Sequence, residues 1–368
     1  MRCPAARVGG NVRHGKSAQK DIVQQGRAVA DSGQDWFGGL ANLNSGEIIS
    51  RNDRILVTGS NGFIGAKVVE ILLEYGFSNL HCFVRSSSQL DRLEKIIGEF
   101  DARTNVELIA GDLLSRKDCA KAAEGVSIIY HLAAGFDKSF AGAFMTSALG
   151  TRNLLDAFLK VGKPRRFVNI SSFAVYSNLS LKRGALLDES CPLENASQER
   201  FDAYGFGKLK QEEVVREYGN KHQLPYVILR PGYVFGPGKR ELSGRVGINT
   251  FGFFIQINGS NLLPLSFVDN CAEAIVLAGL KAGIESETFN VVDNELLTSR
   301  QFLTAYKRIF EMVKGSTPPR VQPPPMCCGV ERKPLLQSET SAAVGLETEG
   351  EYGTSYGCVF GAIRIDWA

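Results

Sequence analysis

The sequence lacks the features that mark several specialised classes of protein. No apolar run approaches the ~18 residues of a membrane-spanning helix, and no apolar segment near the N-terminus resembles a secretory signal. The 42 basic and 39 acidic residues leave a net charge of +3, without a Lys/Arg run, so nothing favours a nucleic-acid partner. We therefore expect a protein without a membrane span, for which the cytoplasm is the simplest compartment.

Patterns typical of metal sites and disulfide frameworks are also missing. None of the eight cysteines forms a C-x-x-C pair, and Cys82 and Cys271 lie inside apolar stretches. The four histidines show no H-x-x-x-H spacing. These patterns predict buried reduced thiols and no metal.

Apolar and helix-period segments alternate through the middle of the chain. Residues 1–50 have little periodicity and carry five basic residues before the first acid, which predicts a disordered extension or, alternatively, a transit peptide. Residues 316–368 are proline-rich and then polar, which predicts a disordered tail. Between them, strand-like runs at 54–58, 80–84, 106–110, 127–131, 166–170, 226–230 and 288–292 alternate with helical segments such as 63–75, 141–160, 269–281 and 298–312. Residues 51–315 are therefore predicted to form an α/β fold with a doubly wound parallel sheet, and a small C-terminal substrate lobe mainly from 177–202 and 236–315.

Three glycines follow the first predicted strand at a spacing of three. Gly59, Gly62 and Gly65 read G-x-x-G-x-x-G, which differs from the common G-x-G-x-x-G dinucleotide fingerprint. Glycines at the exit of a strand let the backbone approach a phosphate at a helix N-terminus. The alternative is a glycine-rich turn that binds nothing.

Single residues at the ends of the next strands suggest further contacts with a dinucleotide. Arg85 stands twenty positions beyond Gly65, where an acid would bind the ribose of NAD and an arginine suits the 2′-phosphate of NADP. It could equally be an ordinary surface residue. Asp112 and the small residues Ala133 and Ala134 end the third and fourth strands, although a helix cap and simple packing also explain them.

A tyrosine, a lysine and a serine carry the sharper chemical signal. Tyr204 and Lys208 lie four residues apart in a helical stretch, so they share a face. The strand that precedes them supplies Ser171 and Ser172. A nearby ammonium group favours phenolate, so we expect Lys208 to lower the pKa of Tyr204 and make it a proton-transfer group. The stretch "LRPGYVFGPG" at 229–238 then predicts an irregular loop over the reacting groups.

Taken together, these motifs resemble the extended short-chain dehydrogenase/reductase superfamily, in its NAD-dependent epimerase/dehydratase branch. The resemblance covers roughly 54–313 and rests on "TGSNGFIG", "GDL", "HLAA", "GTRNLL", "SSFAVYS", "YGFGK", "LRPGYVFGPG" and "LPLSFVDNCAEAI", in the family's order. It implies a Rossmann-type domain with a small C-terminal lobe, a small-molecule substrate that is often a nucleotide-linked sugar, and a homodimer. The chain departs from the family at Ser147, where asparagine is common, and its recognisable part ends early.

The resemblance also implies a role for each matching residue. Tyr204 would be the acid/base, Lys208 would hold the nicotinamide ribose, and Ser172 would bind the reacting oxygen. The cofactor, NADP or alternatively NAD, would be bound by Gly59, Asn61, Gly62, Phe63, Ile64, Gly65, Arg85, Asp112, Leu113, Ala133, Ala134, Tyr204, Lys208, Pro231 and Val234.

Three functions remain open from the sequence. The first is epimerase or dehydratase chemistry on a nucleotide-linked sugar. The second is an NADPH-dependent ketone reductase of the dihydroflavonol-reductase or hydroxysteroid-dehydrogenase type. Arg85, which stands where typical NAD-bound epimerases have an acid, resembles that side of the superfamily. The third is a dinucleotide-binding sensor without catalysis, against which the intact serine, tyrosine and lysine argue.

Overall fold

A computed structural model of the chain describes one continuous fold with short gaps. The described residues are 47–100, 104–135, 137–177, 186–239, 244, 246–250, 253–256 and 259–314, with short strands at 321–322, 358–360 and 363–364. Nearly all of the predicted N-terminal extension, and most of the predicted tail, lies outside these residues.

A parallel seven-stranded sheet forms the centre of the fold. In chain order its strands are β1 (Arg54–Thr58), β2 (Asn79–Val84), β3 (Asn105–Ala110), β4 (Val126–His131), β5 (Arg166–Ile170), β7 (Tyr226–Pro231) and β12 (Thr288–Asp293). Their spatial order is β3-β2-β1-β4-β5-β7-β12, and β14 (Cys358–Phe360) adds an antiparallel strand beside β12. The order reverses between β1 and β4, which makes the sheet doubly wound and confirms the predicted fold class.

Helices cover both faces of this sheet. On one face lie α1 (Phe63–Glu74), α2 (Asp91–Gly98) and α7 (Val268–Leu280), and on the other α3 (Arg116–Ala123), α5 (Gly150–Val161) and α6 (Ala203–His222). Ile55 and Val57 belong to the first core and Leu56 to the second, because successive strand residues point to opposite faces. Burial on both faces explains why β1 reads as a continuous apolar run.

The segment predicted as one helix over 141–160 is divided. A short helix, α4 (Phe140–Ala143), leads into a π-helical turn, Phe144–Leu149, before α5 begins. Helix α6 packs closely here, since a Cβ added at Gly207 would lie 3.1 Å from Ser147 Oγ. The wider turn therefore lies where α6 packs closely against this segment.

The C-terminal part of the fold is built from short elements. Strands β8 (Tyr233–Phe235) and β11 (Leu265–Phe267) pair in parallel, and β9 (Gly247–Thr250) pairs with β10 (Phe253–Gln256). Helix α8 (Ser299–Lys314) packs here, and the remaining strands are β6 (Leu186–Leu187), β13 (Val321–Gln322) and β15 (Ile363–Arg364). The stretch 229–238 was predicted to be irregular, but it includes β8, and Pro231 closes β7 beside Val291. None of the helices in the described ranges is both long and apolar enough for a membrane crossing.

Candidate active site

The predicted site residues gather at one edge of the sheet. The glycines follow β1, Arg85 follows β2, Asp112 follows β3, Ala133 follows β4 and Ser172 follows β5. Because the strands are parallel, their carboxyl ends share one edge, where ligands bind in open α/β sheets. Helix α6 brings Tyr204 and Lys208 to the same edge through contacts with Ser172 and with the end of β5.

The glycine turn is shaped by close contacts within the chain itself. Gly59 has a φ of +70°, and a Cβ there would lie 3.0 Å from the amide nitrogen of Ala133. A Cβ on Gly65 would lie 2.1 Å from the carbonyl oxygen of Gly59, so only glycine lets α1 pack this closely. Gly62 is exposed and begins α1 without a side-chain cap, and the first turn carries no acid. The turn thus leaves an uncapped helix N-terminus facing solvent, which suits an anion.

An open cleft lies beside the glycine turn, next to the end of β2. Its walls are formed by Asn61, Ser87, Gln89, Asp91 and Arg92. Arg85 is exposed and starts the turn that carries Ser87, since its carbonyl accepts from the amide of Ser88. Two arginines therefore flank this end of the sheet, together with one carboxylate.

The side chain of Ser172 lies beside the phenol of Tyr204, and its hydroxyl acts to lower the pKa of that phenol. Ser172 follows β5 and is the N-cap of a single 3₁₀ turn, Phe173–Val175, where its hydroxyl accepts from the amide of Ala174 at 3.2 Å. Tyr204 lies in the first turn of α6, whose N-cap, Asp202, accepts from the amide of Gly205 at 2.8 Å. The cap fixes the start of α6 and hence the position of the phenol.

The pKa of Tyr204 is raised rather than lowered. Burial is the largest cause, the hydrogen bond with Ser172 lowers the pKa, and the charge of Asp202 raises it. The expectation that Lys208 depresses this pKa is therefore wrong for this structure. The ammonium group points instead to the end of β5, and burial of the phenol outweighs its hydrogen bond.

Lys208 is buried and bound by neutral acceptors. Its Nζ donates to the carbonyl oxygen of Ile170 at 2.5 Å and to Gln211 Oε1 at 2.9 Å. Burial lowers the pKa of Lys208 to about 7, although the charge of Glu212 acts in the opposite direction. Lys208 thus changes charge near neutral pH.

A second buried cation lies next to this lysine. Arg230 binds both carboxylate oxygens of Glu212, Nε to Oε1 at 2.9 Å and Nη2 to Oε2 at 2.7 Å. Its Nη1 donates to Tyr176 Oη at 2.9 Å, and that hydroxyl donates to Asn290 Oδ1 at 2.7 Å. Glu212 thus forms a buried ion pair with Arg230, and its Oε2 also accepts from Arg216 Nη2 at 3.3 Å.

The other predicted residues lie around the same edge, and none of the described hydrogen bonds joins them to Tyr204. Asp112 is exposed and accepts from the amide of Leu114. Leu113 accepts from Asn153, while Val234 accepts from Lys239. Ala134 is half-buried and Pro231 is buried.

Several polar residues at this edge escaped the sequence reasoning. Gln211 and Glu212 lie three and four positions after Lys208, on the same helix face, and this spacing was the available signal. Nothing in the sequence pointed to His131 or Thr151 as neighbours of Lys208, because they come from β4 and α5.

The fold and this edge define a nucleotide-binding enzyme class, the extended short-chain dehydrogenases/reductases. The family model described as "NAD dependent epimerase/dehydratase family" matches residues 55–291. The chain belongs to this family, which confirms the resemblance read from the motifs.

Curated relatives and solved structures agree with this class. A 3beta-hydroxysteroid-dehydrogenase/decarboxylase from Arabidopsis thaliana is 27% identical over 61% of this chain, and the match spans 40% of that relative's length. The mouse sterol-4-alpha-carboxylate 3-dehydrogenase, decarboxylating, is 25% identical over 74% of this chain and 73% of its own. UDP-glucuronic acid 4-epimerase from Bacillus cereus, solved with NAD, superposes with a TM-score of 0.58 at 25% identity, covering 74% of this chain and 87% of that one.

Proposed function

We propose that the protein catalyses NAD(P)-dependent hydride transfer between a secondary alcohol and its ketone. The observation that carries this proposal is the neighbouring pair of side chains Ser172 and Tyr204 at the carboxyl edge of the sheet, with Lys208 buried one turn further along α6. A phenol and a hydroxyl that both reach one substrate oxygen can hold it and exchange its proton. The nicotinamide ring, when bound, supplies the acceptor or donor of hydride.

The edge suits a dinucleotide by its shape and by its donors. The uncapped N-terminus of α1 would hold the pyrophosphate through Gly59, Asn61, Gly62, Phe63, Ile64 and Gly65. A Cβ at Gly62 would come 3.1 Å from the carbonyl oxygen of Gly59, a tight contact that glycine avoids. Asp112 and Leu113 would flank the adenine, and Ala133, Ala134, Pro231 and Val234 the nicotinamide.

Each catalytic side chain then has one task. Tyr204 Oη carries the proton at neutral pH, since its pKa is raised, and donates it to a ketone oxygen or takes it from an alcohol. Ser172 Oγ holds the same oxygen. Two of the three N–H groups of Lys208 have acceptors in the described part of the chain, and the third would bind a ribose hydroxyl.

A Tyr204→Phe variant tests the catalytic role directly. We expect turnover to fall by about 10²-fold or more, because the variant loses the proton donor while keeping the ring. Tyr218→Phe is the matched control, since Tyr218 lies on the same helix and its hydroxyl binds Asp156. Equal losses in both variants, with unchanged circular dichroism, would refute the role of Tyr204.

The second open point is the cofactor, and here the cleft favours NADP. Arg85 and Arg92 are both exposed at the end of the sheet where a 2′-phosphate would lie. Removing one charge-assisted hydrogen bond costs about 1.5–3 kcal/mol, or roughly 10- to 100-fold in affinity. We expect Arg85→Ala to weaken NADPH binding by about that factor while NADH binding stays constant, as measured by nucleotide fluorescence.

The exposed Lys95 on α2 provides the control, because Lys95→Ala removes a nearby charge of the same sign. A wild-type protein that binds NADH more tightly than NADPH would exclude NADP as the preferred cofactor.

For the substrate, two classes have support. The Arabidopsis and mouse relatives carry names of sterol dehydrogenases, which favours net oxidation of a ring hydroxyl or its reversal. The epimerase structure favours a nucleotide-linked sugar and internal return of the hydride. Steady conversion of NAD(P) with a hydroxysteroid would support the first, whereas turnover of a sugar nucleotide without net change in cofactor absorbance would support the second. Dimerisation stays a prediction, which sedimentation would test.

A further inference from the structure

A continuous chain of hydrogen bonds connects Lys208 to the far side of the cofactor edge. Gln211 Oε1 accepts from Lys208 Nζ at 2.9 Å, and Gln211 Nε2 donates to Thr151 Oγ1 at 3.0 Å. His131 Nε2 lies 2.8 Å from Thr151 Oγ1, and its Nδ1 lies 2.8 Å from Thr58 Oγ1. All five side chains are at most 2% exposed.

The donors and acceptors in this chain fit only one arrangement. The hydroxyl of Thr151 donates to the carbonyl oxygen of Ser147 at 2.6 Å, so its oxygen must accept from His131 Nε2–H. Burial and the charge of Lys208 lower the pKa of His131 to about 3, so the ring is neutral and Nδ1 carries no proton. Nδ1 therefore accepts from the hydroxyl of Thr58, whose oxygen accepts from the amide of Ala133 at 3.2 Å.

The chain is built to hold positions rather than to carry protons. A proton route needs members that both release and accept a proton in turn, whereas this chain contains a glutamine amide and ends at a backbone N–H. Each polar atom that it uses is matched by a partner, and a fully matched buried network is rigid.

We propose that Gln211, Thr151 and His131 are positioning residues that hold the Lys208 ammonium group in place and connect it to the backbone of Ala133. The functional meaning rests on the proposed function, in which Lys208 and Ala133 contact opposite parts of one nicotinamide nucleoside. The chain spans three elements, α6, α5 and β4, before it reaches β1.

Few titratable groups surround Lys208. On α6 they are Tyr204, one turn before it, and Glu212, one turn after it, and on β4 the neutral His131 faces it. From β7, Arg230 acts through its ion pair with Glu212, while β5 and the π-helical turn contribute uncharged groups. Gln211 is thus the side-chain acceptor that stabilises the charged form of Lys208 without adding a charge.

The test measures the titration of Lys208 in the protein without nucleotide. Lysine labelled with ¹³C at Cε reports each amine by NMR, and Lys208→Met assigns the signal that titrates near neutral pH. In Gln211→Leu the pKa of Lys208 should fall by about one unit or more, because a hydrogen bond to the charged form is lost. In Gln211→Glu, which keeps an acceptor oxygen, the pKa should stay at or above the wild-type value.

Two further variants make the result specific. Thr151→Val keeps the shape but removes the hydroxyl that anchors Gln211, so it should shift the titration in the same direction, and it replaces Gln211→Leu if that variant does not fold. Tyr130→Phe is the control: it removes a buried hydrogen bond to Val276 from the neighbouring β4 position and should leave Lys208 unchanged. A Lys208 pKa unaltered in folded Gln211→Leu or Thr151→Val would overturn the proposal.

Nucleotide binding separates this proposal from the proposed function. NADPH fluorescence titrations across pH should show binding that weakens at a lower pH in Thr151→Val than in the wild type. If the wild type binds no NAD(P)H, the proposed function fails while the titration result stands. If it binds the nucleotide and the titration does not shift, the positioning role fails alone.

Discussion

The ion pair between Glu212 and Arg230 offers the sharpest test of how this site is supported. Both side chains are at most 2% exposed, and they share two hydrogen bonds of 2.9 and 2.7 Å. Replacing Glu212 by Gln keeps the shape but leaves the guanidinium buried without a countercharge. Removing one partner of a buried pair costs about 3–5 kcal/mol, and we expect about 3 kcal/mol because the glutamine oxygen still accepts one hydrogen bond.

Urea unfolding at pH 7 measures this loss as a fall in the midpoint at constant m-value. Arg216→Gln is the matched control, since Arg216 contacts the same carboxylate at 3.3 Å from a half-exposed position. Its loss should stay below about 1 kcal/mol. Glu212→Leu combined with Arg230→Met should cost less than the sum of the single changes, because the pair is removed together.

The pH dependence of the stability lost in Glu212→Gln follows from the direction of the Glu212 pKa shift. Burial by itself would raise the pKa of Glu212, but the hydrogen bonds and charge of Arg230 lower it below the usual value. A carboxylate with a lowered pKa stabilises the fold above its unfolded-state pKa and loses that contribution as pH falls through the folded-state value. The difference between wild type and Glu212→Gln should therefore shrink on acidification below about pH 4.5. Equal losses for Glu212→Gln and Arg216→Gln at pH 7 would refute this reasoning.

Two smaller tests, the first with a matched control, address the turn and the core. Gly65→Ala should lower the free energy of unfolding by about 1–3 kcal/mol, because its Cβ would lie 2.1 Å from a backbone oxygen. The control Gly98→Ala, whose Cβ would have no atom within 4 Å, should be neutral or raise it by up to about 1 kcal/mol. The same change in thermal unfolding for both variants would contradict this expectation. Asn169→Leu should stabilise the fold by up to about 1–3 kcal/mol, because the buried amide has no partner among the described residues, and a lower melting temperature would show that the amide has a partner such as an internal water.

The strands and the site edge were largely predictable from the sequence. The ends of all seven parallel strands lie within one residue of the predicted runs. This accuracy has a physical cause, because strands buried on both faces need continuous apolar runs. The carboxyl ends of such strands then place Gly59, Ala133 and Ser172 along one edge.

The departures come from contacts between segments that are distant in sequence. The π-helical turn at Phe144–Leu149 lies where Gly207 of α6 approaches Ser147, and no local periodicity indicates that contact. The predicted direction of the Tyr204 pKa shift was wrong, because the four-residue spacing to Lys208 reveals a shared helix face but not where the ammonium group points. The acceptors of Lys208, the carbonyl oxygen of Ile170 and the side-chain amide of Gln211, decide where that group points.

Helix α6 shows how one element can serve both chemistry and stability. Its first turns carry Tyr204 and Lys208, and the next turn carries Gln211 and Glu212, all on the side that faces the sheet. Glu212 is committed to Arg230 by two hydrogen bonds, so Lys208 is left with the neutral acceptors. An acid four residues from a lysine on a helix would ordinarily form an ion pair with it and favour its charged form. Here the division of partners leaves burial as the dominant influence on Lys208, which is why its pKa is lowered to about 7.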